Sequence, residues 1–347
     1  MAVWYDLRMA EDSIRLFGDT FSPYSMKLRA LMRYRRIPYL WLSYDGVGAP
    51  PAPEVPVALI PILQFPGEEK GMIDTTFQLR RLERDFPDPA RSVIPEDPVV
   101  ALLDALIEDF ADEWLTKAMF HYRWSFEADA DKAARILPYG HVARSDEATM
   151  REQAERIGGR QISRLAVVGS SRETAPLIEQ SYRRLLRLLG ARLEQSQYVM
   201  GERPGTADFA LYGQLSQLAL FEQTAMAVAY EESPRVIAWC YWMDDLSGAP
   251  GGASWLSREA AASGLRPILE EVGRTYAPFL IANAAALQAG RPRVECQIDG
   301  AKWVQDAFPY QGKCLVWLRE QYAGLDAEAR SAADAILAGT GCEALFA

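Results

Sequence analysis

The sequence predicts an α/β unit over residues 13–86, an all-helical unit over residues 97–246, and an extension over residues 247–347 packed on the helical unit. Two observations predict this. Up to Phe86, short apolar runs alternate with one amphipathic stretch and are cut by Pro and Gly; beyond Pro98, apolar residues recur at helical spacing over long windows. The 347 residues suffice for two ordinary domains, each with its own core.

In the first unit, Ile14 and Leu16 mark a strand that runs into a turn at Gly18 and Asp19. Ser22 is a good N-cap and Pro23 suits the first helical position. Leu28, Leu31 and Met32 fall at helical spacing, and Arg33, Arg35 and Arg36 sit in the last turns, where cations suit the helix dipole. A hydroxyl is thereby held at the positive end of a helix, where a bound thiolate would be stabilised; the plain alternative is that Ser-Pro only caps. Tyr39–Leu42 is a short strand, and Asp45–Pro56 is a loop whose prolines exclude regular helix. Val57–Phe65 is apolar and interrupted by Pro61, which argues for an edge, a strand start or a special turn. Pro66–Glu69 reads as a hairpin connection, Gly71–Ile73 as the returning strand, and Asp74-Thr75-Thr76 as the cap of a helix carrying Phe77, Leu79 and Leu82. The order is β-α-β-loop-β-β-α.

After the linker Pro87–Pro98, Val99, Leu103, Leu106, Ile107, Phe110 and Trp114 mark an amphipathic helix. Arg151–Val168 and Leu177–Leu193 read as two more. In the extension, Ser247–Gly252 is a break, Leu265–Gln288 a helix, Val294–Gly300 a strand and turn, and Phe308–Tyr322 and Ala327–Leu337 helices.

Composition narrows the function. A net charge of −10 speaks against a nucleic-acid partner. Cys240, Cys296, Cys314 and Cys342 fit no zinc or redox spacing and read as reduced thiols of a cytosolic protein. Met1–Asp12 lacks a signal pattern, and the most apolar stretch, Ala277–Ala289, is too short and too interrupted to span a bilayer, so no membrane partner is expected. His121 and His141 are the only histidines and have no carboxylate at ligand spacing, so no metal is expected. No phosphate-binding Gly-rich loop occurs.

Three segments carry a resemblance. Phe21-Ser22-Pro23-Tyr24-Ser25-Met26-Lys27-Leu28-Arg29 resembles the start of the first helix of cytosolic glutathione transferases. Ile60-Pro61-Ile62-Leu63 resembles their Val-Pro-Val-Leu turn with its cis proline, and Met72-Ile73-Asp74-Thr75-Thr76-Phe77 their acidic-residue-plus-Ser segment. A fourth, Tyr198–Gly213, resembles the family's Phe-Leu-Gly-x-x-Pro-Ser-x-Ala-Asp-Phe folding motif. There Gly205 holds the cap position, Asp208 is retained, and Thr206 is a candidate to take over the cap in a shifted register. Ser233–Trp239 fits a late family helix. The resemblance spans Ser13 to Leu246 and implies a thioredoxin-like first domain, a helical second domain, glutathione as cosubstrate, a small apolar electrophile, a homodimer and a cytoplasmic location.

It also implies residue roles. Ser22 would donate a hydrogen bond to the glutathione sulfur, with Tyr24 and Ser25 as rivals. Ser22, Pro23, Ile60, Pro61, Asp74 and Thr75 would bind glutathione: Ile60 and Pro61 through backbone, Asp74 on the γ-glutamyl amino group, Thr75 and the helix start on its carboxylate. Each has a structural alternative as a cap or turn. A glutaredoxin-type mixed disulfide is disfavoured, because no Cys stands at 22 or 25. Trp114, His121, Tyr122 and Trp124 lie on or after the helix that borders the family's electrophile pocket, with core packing the expected role of Trp114. One feature departs from the family: no Lys or Arg stands between Arg36 and Lys70, where a basic or amide side chain usually meets the glycine carboxylate. Gln64 is the only amide in that interval. This favours a rival reading, a binding or scaffolding protein that keeps the fold without catalysis; a glutathione-dependent reductase or isomerase is a third.

Overall fold

The computed structural model describes residues 13–44, 50–140 and 146–347; His141 and the first part of the loop expected from Asp45 lie outside the described residues. The α/β unit runs β1 (Ile14–Gly18), α1 (Pro23–Tyr34), β2 (Tyr39–Ser43), β3 (Ile62–Gln64) and α2 (Thr75–Asp85). The sheet order is β2-β1-β3. β1 is parallel to β2, with Leu16 opposite Trp41, and antiparallel to β3, with Leu16 opposite Leu63. A parallel pair needs a crossover, and α1 supplies it. β1 is therefore central, which fits the complete burial of Leu16 and Phe17.

The returning strand expected at Gly71–Ile73 is reduced to a single bridge, Met72 with Leu63, bonded both ways at 2.8 Å. Two commitments shorten it. Gly71 gives its N–H to Glu54 O at 2.9 Å, on the loop side, and Asp74 turns the chain into α2 with φ 77°. A Cβ at position 71 would stand 2.4 Å from the Ile62 side chain, so only Gly fits there. The apolar run from Val57 is likewise strand only from Ile62: Val57 and Leu59 are 54% and 58% exposed. The Ile60–Pro61 bond is cis.

α3 (Pro98–Phe110) is capped by Asp97, which accepts from Val99 N and Val100 N. It passes through one wide π-type turn (Ala111–Leu115) into α4 (Thr116–Ser125). Such a turn shifts the faces of a helix and turns side chains that would otherwise be buried elsewhere. Next come α5 (Glu127–Ile136), α6 (Glu147–Ile162), α7 (Ala175–Arg192), α8 (Thr206–Leu218), α9 (Gln223–Glu232) and α10 (Pro234–Met243). Every residue of α8 is buried. Asp208 Oδ2 accepts from Gly205 N at 3.0 Å and Asp208 Oδ1 from Val199 N at 2.7 Å. Thr206 does not take over the cap. It is the first helical residue, and its N–H and hydroxyl both go to Asp104 Oδ2 on α3, at 3.1 and 2.7 Å.

The extension forms α11 (Arg258–Gly264), α12 (Arg266–Gln288), the hairpin β4 (Arg293–Ile298) and β5 (Ala301–Asp306), α13 (Pro309–Ala323) and α14 (Ala327–Leu337). Its apolar side chains share one continuous core with the two units before it. α13 also reaches the α/β unit, where Trp317 meets Phe77 edge-on at 4.8 Å between ring centres. Among the described residues, no helix is long and apolar enough to cross a membrane.

Candidate ligand cleft

A cavity of about 710 Å³ opens where the α/β unit, the α3–α4 turn and the extension meet. The α/β unit contributes Tyr24, Ile60, Pro61, Asp74 and Thr75; the turn contributes Asp112, Glu113, Thr116 and Lys117; the extension contributes Gln305, Tyr310, Gln311 and Trp317.

Of the predicted binding residues, Ile60, Pro61, Asp74 and Thr75 are brought together on this cavity, whereas Ser22 and Pro23 are not among its lining residues. The Ser22 hydroxyl oxygen accepts from Ser25 N at 3.3 Å and so caps its own helix. Pro23 is buried, with its carbonyl against Gly213 of α8. Ser25 is fully buried and accepts from Asp19 N at 3.3 Å. Tyr24 is thus the one of the three hydroxyl candidates that lines the cavity. Its hydroxyl donates to Asp112 O at 2.8 Å and lies 3.3 Å from Thr116 Oγ1. Burial, with Glu113 and Asp112 nearby, raises its pKa well above the usual phenol range, so it acts as a neutral hydrogen-bonding group.

Asp74 caps α2 by accepting from Thr76 N at 3.2 Å, and its Oδ2 accepts the Tyr310 hydroxyl at 2.8 Å. Gln64 turns away from the cavity and donates to Glu68 O at 2.8 Å. Trp114 is core: its Nε1 donates to Ser181 Oγ at 2.9 Å. His121 is buried between Ser170 Oγ at 2.8 Å and Glu179 Oε1 at 3.3 Å. The helix that carries these residues does border the cavity, but through Thr116 and Lys117.

The floor is a nest of buried carboxylates on adjacent turns. Lys27 reaches it from α1 and donates to Glu108 Oε1 at 2.7 Å and Asp112 Oδ2 at 2.6 Å. Burial opposes the Lys27 ammonium, but the two carboxylates outweigh it and raise its pKa. Burial, reinforced by Asp109, holds the Glu113 carboxyl well above the carboxylate range, although Gln311 Nε2 donates to Glu113 Oε2 at 2.9 Å. Burial likewise lifts Asp109 to about 7, against a hydrogen bond of 2.7 Å from the Tyr276 hydroxyl. Lys117 is lowered to about 7 by burial; its Nζ donates to Gln305 Oε1 at 2.9 Å and lies 4.1 Å from the Phe279 ring centre. The cavity is therefore an apolar chamber in which most polar atoms already have protein partners. Its apolar walls suit the apolar part of a ligand, and the polar groups that remain, such as Asp74 and Lys313, suit its polar ends. Among the described residues, no cluster of three or more His, Cys, Asp or Glu is arranged to hold a metal ion.

Sequence reasoning missed Glu113 and Lys117 and the whole contribution of the extension. The carboxylates carried a usable signal: Glu108, Asp109, Asp112 and Glu113 recur at a spacing of four inside an apolar helix. Tyr310 and Gln311 carried none.

Residues 16–90 match the family model described as "Glutathione S-transferase, N-terminal domain". No match is found among curated proteins. Solved structures similar to the chain include a Tau class glutathione S-transferase from mango, Mangifera indica, at 16% identity and a TM-score of 0.40, covering 67% of this chain and 89% of that one. A glutathione transferase family member from Pseudomonas fluorescens pf-5, with two glutathione bound, gives 14%, 0.41, 68% and 93%. A glutathione S-transferase from Methylobacillus flagellatus kt, with glutathione bound, gives 21%, 0.37, 63% and 93%. The family match over residues 16–90 falls on the thioredoxin-like unit with its β2-β1-β3 sheet and cis-Pro61 turn, so it is this part of the chain that is similar to the glutathione S-transferase N-terminal domain.

Proposed function

We propose that the cleft binds glutathione and presents its sulfur to a small apolar electrophile. The observation that carries this is the convergence of Ile60, cis-Pro61, Asp74 and Thr75 with Tyr24 on one cavity. Ile60 and Pro61 would pair with the peptide through backbone, and Asp74 and Thr75 would take the γ-glutamyl end at the start of α2. The apolar wall supplied by Phe77, Val167, Phe308 and Trp317 suits the electrophile. Ser22 stays a candidate for the hydrogen bond to sulfur, with Tyr24 and Ser25 as rivals; Tyr24 lines the cavity, but its proton goes to Asp112 O and would have to leave that acceptor to reach the sulfur, whereas Ser22 only accepts from Ser25 N. Calorimetric titration with glutathione, followed by conjugation of 1-chloro-2,4-dinitrobenzene, tests the reading. Binding in the micromolar to millimolar range and a turnover that falls about tenfold or more in Tyr24→Phe support it. Absence of heat at millimolar glutathione would remove it.

A second reading, a ligand-binding protein of this fold without conjugation, is favoured by one contact. The Tyr310 hydroxyl already sits on Asp74, the acceptor the γ-glutamyl amino group would need. Glutathione binding without turnover on a panel of electrophiles would favour it, and a glutathione-dependent reductase or isomerase would appear on the same panel. A cytoplasmic homodimer belongs to the same proposal, tested by light scattering on the purified chain and by cell fractionation.

A further inference from the structure

The α/β unit offers no Lys or Arg between Arg36 and Lys70 to meet the glycine carboxylate of a bound tripeptide. The cavity nevertheless has cations on its other walls, and their partners sort them. Lys117 is spent on Gln305 and the Phe279 ring. Lys27, behind the floor, is spent on Glu108 and Asp112. Arg164 and Lys313 also line the cavity, are exposed, and their side chains make no hydrogen bond or ion pair among the described residues. Arg164 leads into the short turn Leu165–Val168, whose Val167 and Val168 are on the cavity wall. Lys313 lies one helical turn beyond Tyr310 on α13, so both reach the same face.

The acids on the cavity do not compete for these two cations. Asp74 accepts from Thr76 N and Tyr310, Asp112 pairs with Lys27, and Glu113 accepts from Gln311. An arginine and a lysine without side-chain partners among the described residues, on the rim of a largely apolar chamber, attract an anion.

We propose that Arg164 and Lys313 bind the glycine carboxylate of the thiol tripeptide, so that the helical unit and the extension supply the charge that the α/β unit lacks. This rests on the glutathione reading above. It assigns a binding role to the extension: α13 carries Lys313 to the cavity that cis-Pro61 and Asp74 line. Both cations are solvent-exposed, so their substitution by glutamine leaves the core untouched.

The test is a two-by-two calorimetric titration. The full chain and its Arg164→Gln/Lys313→Gln double variant are each titrated with glutathione and with glutathione monoethyl ester, in which the glycine carboxylate is masked. The expected result is that wild type binds glutathione about tenfold more tightly than the ester, whereas the variant binds both alike at the weaker level. The wild-type preference should also shrink as salt is raised, since the pairs are exposed. An ester-to-glutathione ratio that is the same in wild type and variant overturns the assignment while leaving glutathione binding intact. A wild type that binds neither ligand overturns the glutathione reading and this inference with it.

Discussion

The Tyr310 hydroxyl donates to Asp74 Oδ2 at 2.8 Å across 236 residues of sequence. The bond joins α13 to the cap of α2, and so fixes one side of the cleft to the residue that starts the other. Beside it, Trp317 meets Phe77 edge-on and Tyr310 itself, at 5.9 Å between ring centres. The seam is thus a hydrogen bond flanked by aromatic packing.

Tyr310→Phe removes the hydroxyl and keeps the ring. We expect a stability loss of about 0.5–1.5 kcal/mol by urea denaturation, the net value of one hydrogen bond. Asp74 is then free to accept an ammonium group, so glutathione should bind a few-fold more tightly by calorimetry. Weaker binding would instead make the hydroxyl part of the site.

Lys27→Met tests the buried charge beneath the cleft. Lys27 is the shared partner of Glu108 and Asp112, and all three are almost wholly buried. Removing the ammonium strands two buried carboxylates, and a cost of about 3–5 kcal/mol is expected. The loss should shrink as pH falls toward 5, because protonation of the carboxylates relieves the stranded charge. A variant as stable as wild type at neutral pH would show that the three groups do not act as an ion pair.

Much of the fold is legible because each element has a local cause. Ser22-Pro23 starts α1, Asp74 starts α2, and Gly205 with Asp208 starts α8. Those signals lie within a few residues of the structure they specify. What was not legible depends on partners far along the chain. Nothing near Gly71 shows that Glu54 takes its N–H and leaves Met72 a lone bridge, and nothing near Thr206 shows that Asp104 meets its hydroxyl. The same division runs through the site. The Ile60–Pro61 turn and Asp74 were readable in short segments, whereas Tyr310 and Lys313 reach the cavity only through the packing of a helix whose sequence carries no motif. Ser22 was readable as a cap, and it is one, but a hydroxyl that accepts from its own helix keeps its proton, so the cap by itself does not decide its role at the cleft.

Asp109 gives a pH dependence whose sign follows from its raised value. Burial lifts its carboxyl from the ordinary range near 4 to about 7. Between those values the folded chain holds the proton more tightly than the unfolded chain, so stability falls as pH rises through the window. The slope is about 1.4 kcal/mol per pH unit for a single such group. Asp208, lifted to about 6 by burial, adds the same sign. Glu232, held down to about 2 by Arg187 and Arg183, acts only in more acid solution. In Asp109→Asn the amide oxygen can still accept from Tyr276, and no proton is exchanged. Urea unfolding of wild type between pH 5 and 8 should therefore show decreasing stability, and the variant a shallower decline. Parallel profiles for the two proteins would place the titration elsewhere.

Gly213 sets how closely the helical unit approaches the start of α1. A Cβ there would stand 2.6 Å from Pro23 O and 2.9 Å from Lys27 Cβ, and the first of these is backbone that cannot swing aside. Gly213→Ala must push α8 and α1 apart by several tenths of an ångström, an overpacking cost of about 1–3 kcal/mol. The displacement reaches the cleft, because Tyr24 follows Pro23 and Lys27 holds Asp112 from one turn further on. Thermal unfolding should show a lowered midpoint, and ligand titration at a temperature where the variant is fully folded should show weaker binding. Gly213→Ala with an unchanged midpoint would mean that α1 and α8 are not in backbone contact, and the placement of Ser22 and Tyr24 would have to be redrawn.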